Sequence, residues 1–191
     1  MKQETILNNK TNSLSTVSLV QMALMIAIIC VSTMVIKVPT LFGVGYDHLG
    51  DSMVFLGEFL FEKKKGVITA AVGMSLADFL LGYAYYVPFT FVIKAIMAYI
   101  AASIAYRGNY RGKNMLNNLF GFIVGGAWMV FGYFLTKIVI VQYIVVKASS
   151  FNQALAIALA GIQSNIGQVT LGMIIAIPLA KALQSKVKIE R

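Results

Sequence analysis

Six apolar blocks divide this chain, at about 17–38, 48–61, 67–86, 88–106, 119–146 and 151–183, with polar, often basic, punctuation between them. A helix that crosses a membrane needs about 20 mainly apolar residues at 1.5 Å rise each. Five blocks meet that length, and the pattern predicts an all-α integral membrane protein, a bundle of six transmembrane helices. The second block is short and stops at Glu62-Lys63-Lys64-Lys65-Gly66. Its helix begins deep inside, or the glycine-bearing stretch 43–51 dips into the bundle. Non-helical backbone at that depth must be buried in protein or line a cavity. That points to 43–51 as a re-entrant or capping loop over a site. Pro88 suits the first turn of the fourth helix.

Lysine and arginine orient the bundle. With both termini cytoplasmic, the inner side receives Lys2, Lys10, Lys63, Lys64, Lys65, Arg107, Arg111, Lys113, Lys181, Lys186, Lys188 and Arg191, and the outer loops only Lys37 and Lys147. An odd number of spans spoils this asymmetry. The expected organisation is a cytoplasmic tail at 1–16, a six-helix membrane domain at 17–183 and a basic cytoplasmic tail at 184–191, in a multi-pass protein of the cell membrane.

Composition agrees. Of 191 residues, 59% are hydrophobic and only 12% charged, against about one quarter charged in a soluble domain. That leaves no room for a soluble catalytic or ATP-hydrolysing domain. The net charge of +9 lies between the apolar blocks, as loop anchors do, so nucleic acid is not an expected partner. The first apolar block is too long for a signal peptide and lacks a small-residue cleavage site. The single Cys30 excludes an internal disulfide and a cysteine-rich metal site.

An ionisable group inside a span costs about 2.5–3.5 kcal/mol or more at the centre unless paired or solvated. Asp51, Glu58, Asp78, Lys94 and Lys137 lie in or near spans. Asp78 falls about 12 Å, Lys94 about 9 Å and Lys137 about 13 Å below the outer ends of their helices. All three sit in the outer half, which points to a polar layer open to the outside. Asn165 and Gln168, three apart, share a face of the sixth helix, and Tyr83, Tyr85, Tyr86, Phe89, Trp128, Tyr133 and Tyr143 are close by in sequence. Aromatic walls with a few amide and charged groups suit a flat, polar heterocycle. Blander readings stand beside this one. Tyr85, Tyr86 and Tyr143 suit a membrane interface, Asp78 with Lys94 suits a structural pair, and Asn165 with Gln168 suits interhelical bonding.

Other chemistry has little support. His48 and Asp51 are too few for a metal site, and Asp51 reads better as a cap of the second helix. No nucleophile–base pair, phosphate loop or zinc-protease motif is present. The expectation is a binding protein with no metal and no cofactor, not an enzyme. Ala23 and Ala27 form a smooth stripe where a partner helix can approach. Ala70, Ala71, Gly73 and Ala77, and Ala156, Ala160 and Gly161, suit packing within the bundle.

In order and spacing, Ala23-Leu-Met-Ile-Ala27, His48-Leu-Gly-Asp51, Ala77-Asp78-Phe-Leu-Leu-Gly-Tyr83, Pro88-Phe-Thr-Phe-Val-Ile-Lys94 and Asn165-Ile-Gly-Gln168 resemble the S components of energy-coupling factor (ECF) vitamin transporters. The resemblance covers 17–183. It implies a six-helix bundle with an outward cavity, an extracellular lid loop after the first helix at 41–50, and an Ala-x-x-x-Ala face docked on a transmembrane coupling subunit driven by two ATPase subunits. The motifs look most like the group for hydroxymethylpyrimidine, a thiamine precursor, or pyridoxine-type compounds; the riboflavin and pantothenate groups share parts of the pattern. His48 stands where asparagine is expected. The implied substrate-binding residues are Asp78, Lys94 and Asn165, then Lys137, Gln168, Tyr83, Tyr133 and His48, with Ala23 and Ala27 for docking. The rival function is a stand-alone, proton-coupled secondary transporter using Asp78 and Lys94 as a relay.

Overall fold

The computed structural model describes residues 15–39, 46–61, 63–108, 110, 112–144 and 147–184. Among them the chain forms seven α-helices: α1 (Thr16–Val35), α2 (Gly50–Leu60), α3 (Lys63–Leu80), α4 (Val87–Ala105), α5 (Met115–Val139), α6 (Phe151–Ala160) and α7 (Ile162–Gln184). A π-helical turn, Ile140–Ile144, extends α5. By length and apolar composition, four stretches of the described residues can cross a membrane: Thr16–Val35, Val87–Ala105, Met115–Ile144 and Phe151–Leu183.

The remaining two blocks differ from simple spans for visible reasons. Helix α2 has 11 residues, about 16 Å of rise, roughly half a 30 Å hydrocarbon core. It is nonetheless the most enclosed helix, with Asp51, Ser52, Val54, Phe55, Glu58 and Phe59 all buried. Helix α3 spends its first turn on Lys63, Lys64 and Lys65. Between α1 and α2 runs an antiparallel ribbon, β1 (Lys37–Pro39) paired with β2 (Tyr46–His48), with Lys37 opposite His48. The ribbon brackets 40–45, which holds 41–45, half of the expected lid; those residues lie outside the described set, as do 1–14 and 185–191 of the expected tails.

Helix ends follow local chemistry. The Ser15 hydroxyl accepts from the Ser18 amide at 3.2 Å, and Asn114 caps α5 by accepting from the Asn117 amide at 3.1 Å. The Asn114 cap starts α5 earlier than the apolar block alone suggests. Helix α3 ends in a glycine left-handed turn: Gly82 has φ +85°, its amide donates to the Phe79 carbonyl and the Tyr83 amide to the Asp78 carbonyl at 2.8 Å. The sixth block is broken at Gly161 into α6 and α7.

Glycines set how closely helices approach. A side-chain carbon on Gly125 would lie 2.9 Å from the Met97 carbonyl oxygen, and one on Gly121 2.8 Å from that of Ala101, so α4 and α5 touch backbone to side. Gly73 does the same for α1 and α3 against Ile29, at 2.9 Å. Gly172 lets α7 meet Asp51 of α2. Around these contacts Phe55 of α2 stacks on Phe122 of α5, centroids 4.4 Å apart, with Met97, Met129 and Val169 filling the same core.

Glu58 is fully buried against α3, its carboxyl beside Gly66, and neither oxygen has a hydrogen-bond partner among the described residues. A buried polar group left unsatisfied costs about 1–3 kcal/mol. Glu58→Met, similar in shape and without that cost, is expected to raise the thermal unfolding midpoint in detergent by several degrees. A lowered midpoint would show that the carboxyl is paired.

Candidate functional site

A cavity of about 320 Å³ opens among the ends of α3, α4, α5 and α7. The turn that ends α3 at Gly82 swings Tyr83 over it, and Tyr86, which precedes α4, joins the same wall. Tyr85 does not line it. Its ring packs on Tyr86 at 5.2 Å and meets Tyr83 edge-on at 6.2 Å, buttressing both. Helix α5 contributes Tyr133 and Lys137, one helical turn apart, and β2 contributes His48.

The far wall is α7. Gly161, Ser164, Asn165 and Gln168 line the cavity, at spacings i, i+3, i+4 and i+7, which place them on one helix face. Gln163 points away and is exposed. At the break, a side-chain carbon on Gly161 would lie 2.5 Å from the Lys137 ammonium nitrogen. The missing side chain makes room for that cation beside the cavity.

Two hydrogen-bonded sets stand behind the wall. In one, Thr90 donates to an Asp78 carboxylate oxygen at 2.5 Å and Tyr133 donates to the Thr90 hydroxyl at 3.2 Å. Asp78 is thus anchored by α4 and α5 while it faces the cavity. In the other, Lys94 and Asp51 form a fully buried ion pair. Gln168 donates its amide to the second Asp51 oxygen at 2.5 Å. The Lys94 ammonium also lies 2.9 Å from the Met129 sulfur and 5.4 Å from the Tyr133 ring centroid.

Of the residues expected to bind substrate, Asp78, Asn165, Lys137, Gln168, Tyr83, Tyr133 and His48 line this one cavity. Lys94 does not. It is fully buried and its partner is Asp51, not Asp78, because α2 lies between α4 and α7 and delivers its carboxylate first. The expectation that Asp51 caps α2 is corrected for the same reason. Leu49 holds the cap position without a side-chain bond, and Asp51 turns inward from the first turn. Trp128 and Phe89 pack on the core, Trp128 donating to the Ile93 carbonyl, and Tyr143 is exposed. From the sequence, Ser164 is not singled out and Gly161 is taken for packing alone, although their spacing to Gln168 is a helical-face signal. Ala23 and Ala27 are exposed on α1. Among the described residues no cluster of three His, Cys, Asp or Glu side chains is placed to hold a metal.

A helical membrane protein with an aromatic, amide-bearing cavity at one end of its bundle has the form of a small-molecule binding subunit. Comparison with known proteins is specific. The family model for the S component of the ECF-type riboflavin transporter matches residues 13–185. The chain belongs to this family of S components, the multi-pass membrane subunits that capture a vitamin for an ECF transporter. The match carries the riboflavin name and gives no support to the hydroxymethylpyrimidine or pyridoxine group. A Pyrococcus woesei protein described as "Uncharacterized protein in gap 3'region" is 33% identical over 105 residues, 55% of this chain and 68% of that one.

Removing one member of a buried ion pair strands the other and costs about 3–5 kcal/mol, whereas replacing both by apolar groups is often neutral. Lys94→Ala is therefore expected to lower thermal stability severely, and Asp51→Val with Lys94→Met to restore most of it. Equal midpoints for wild type and Lys94→Ala would show that the pair is not formed.

Proposed function

We propose that this chain captures riboflavin from the outer face of the cell membrane and delivers it to a shared ATP-driven module. The cavity carries the reading. Its volume of about 320 Å³ lies at the lower end of the range for small-molecule pockets. Tyr83, Tyr86 and Tyr133 offer stacking faces for a flat ring system. Asp78, Lys137, Asn165, Ser164 and Gln168 offer polar partners for its edge and its hydroxyl-bearing side chain. The family name points to the same vitamin.

In this reading six segments cross the membrane, α2 with its loop and α6 with α7 each making one crossing, and both termini are cytoplasmic, as the lysine and arginine distribution favours. The lid expected over 41–50, whose residues 46–48 form β2, closes over the bound vitamin. The exposed Ala23 and Ala27 dock α1 on the coupling subunit, and two ATPase subunits supply the energy. The chain itself performs no chemistry. The relay of a proton-coupled transporter finds less support, since Lys94 is committed to Asp51 and Asp78 to Thr90.

Flavin fluorescence provides the test. Riboflavin added to the purified chain is expected to be quenched with a Kd below about 1 μM, and hydroxymethylpyrimidine, pyridoxine and pantothenate to compete at least about a hundredfold less well. Tight binding of one of those three without riboflavin binding would reassign the substrate. Ala23→Trp is expected to keep the riboflavin affinity while abolishing co-purification with the coupling subunit; loss of both together would remove α1 from docking.

A further inference from the structure

Gln168 is the point at which the cavity and the buried ion pair meet. Its side chain lines the cavity, yet the residue is only 5% exposed, and its amide NH2 donates to an Asp51 carboxylate oxygen at 2.5 Å. A carboxylate has only lone pairs to offer, so it dictates which end of a neighbouring amide faces it. Asp51 in turn cannot rotate away. Its other oxygen is held by Lys94, and its Cβ is pressed against α7 at Gly172. With the NH2 end of the amide drawn to Asp51, the opposite end, its oxygen, is the end available to the cavity.

We infer that Asp51 and Lys94 are positioning residues that lock the Gln168 amide with its oxygen facing the ligand, so that this wall accepts a hydrogen bond and selects a ligand presenting an N–H or O–H donor there. The inference rests on the reading that this cavity binds a flat, polar vitamin, and it adds the polarity of one contact and the device that sets it. An unlocked glutamine presents either end, and half its orientations set donor against donor. The locked one holds an acceptor ready in a nearly dry wall, where a ligand lacking the donor leaves the oxygen unsatisfied. It also gives the costly buried pair a use: charges that never touch the ligand fix a group that does.

The test is a mutant cycle read with riboflavin as the probe. Asp51→Val with Lys94→Met removes the lock while keeping the interior apolar and filled. It is expected to weaken riboflavin binding about tenfold at an unfolding midpoint near that of the wild type. Gln168→Met is expected to weaken binding to a similar extent, and the three substitutions together to be no worse than Gln168→Met alone. Multiplying losses would show that Asp51 and Lys94 act independently of Gln168, which overturns the inference. No loss in the Asp51→Val, Lys94→Met protein overturns it equally. Nitrogen-15 NMR supplies a second readout. The Gln168 side-chain NH2 signal, assigned by its disappearance in Gln168→Met, is expected to shift little when riboflavin is added and strongly when Asp51 and Lys94 are replaced. A large shift on adding riboflavin would mean that nitrogen, not oxygen, meets the ligand. If riboflavin fails to bind the wild type at all, the substrate assignment falls, and this inference with it.

Discussion

The ion pair between Lys94 and Asp51 is the constraint around which the bundle is built. In a low-dielectric interior neither charge is tolerable alone, so α2 and α4 must be adjacent wherever this chain is folded. The second Asp51 oxygen adds α7 through Gln168, and the Met129 sulfur beside the Lys94 ammonium adds α5. One side-chain cluster thereby fixes four helices. It also explains how α2, with 11 residues, stays in a membrane protein at all: too short to be held by lipid on its own, it is held at its first turn by charge and along its length by Phe55, Leu56 and Phe59 in the core.

Against that anchor the two ends of the bundle pack differently. Toward the middle, small residues draw backbones together, as at Gly121 and Gly125, and aromatic and thioether side chains fill what remains. Toward the ends of α3 and α5 the walls carry Asp78, Lys137, Asn165 and three tyrosines. Polar walls of this kind resist collapse, because each group keeps a solvated or hydrogen-bonded face only while the space between them stays open. Gly161 enlarges that space by omission, giving the Lys137 ammonium a place beside the cavity. The cavity is thus a consequence of chemistry that cannot be packed dry.

Much of this was legible in the sequence. Block length and composition gave the helical membrane class, and the depths of Asp78 and Lys137 placed both at one level. The three-residue spacing of Asn165 and Gln168 put them on a common face that proves to be a wall of the cavity. What could not be read was partner choice. Lys94 has Asp78 and Asp51 as candidate carboxylates, and only the insertion of α2 between α4 and α7 decides in favour of Asp51. The break at Gly161 was equally hidden, since a glycine in an apolar block reads as ordinary packing until Lys137, 24 positions earlier in the chain, is seen to need its space. The ribbon of β1 and β2 depends on pairing across the loop it encloses, and the surrounding glycines carry no hydrophobic alternation to announce it.

The proposed function requires a vitamin to enter the space bounded by Tyr83, Tyr133, Lys137 and α7 from outside the cell. Ser164→Cys places a thiol on that wall, and Cys30, buried within α1, contributes little background. Labelling of this variant in intact cells by a charged, membrane-impermeant thiol reagent measures access directly. The account predicts rapid modification that riboflavin suppresses in a concentration-dependent manner. A thiol that reacts only after the cells are opened, or at a rate indifferent to riboflavin, would contradict it.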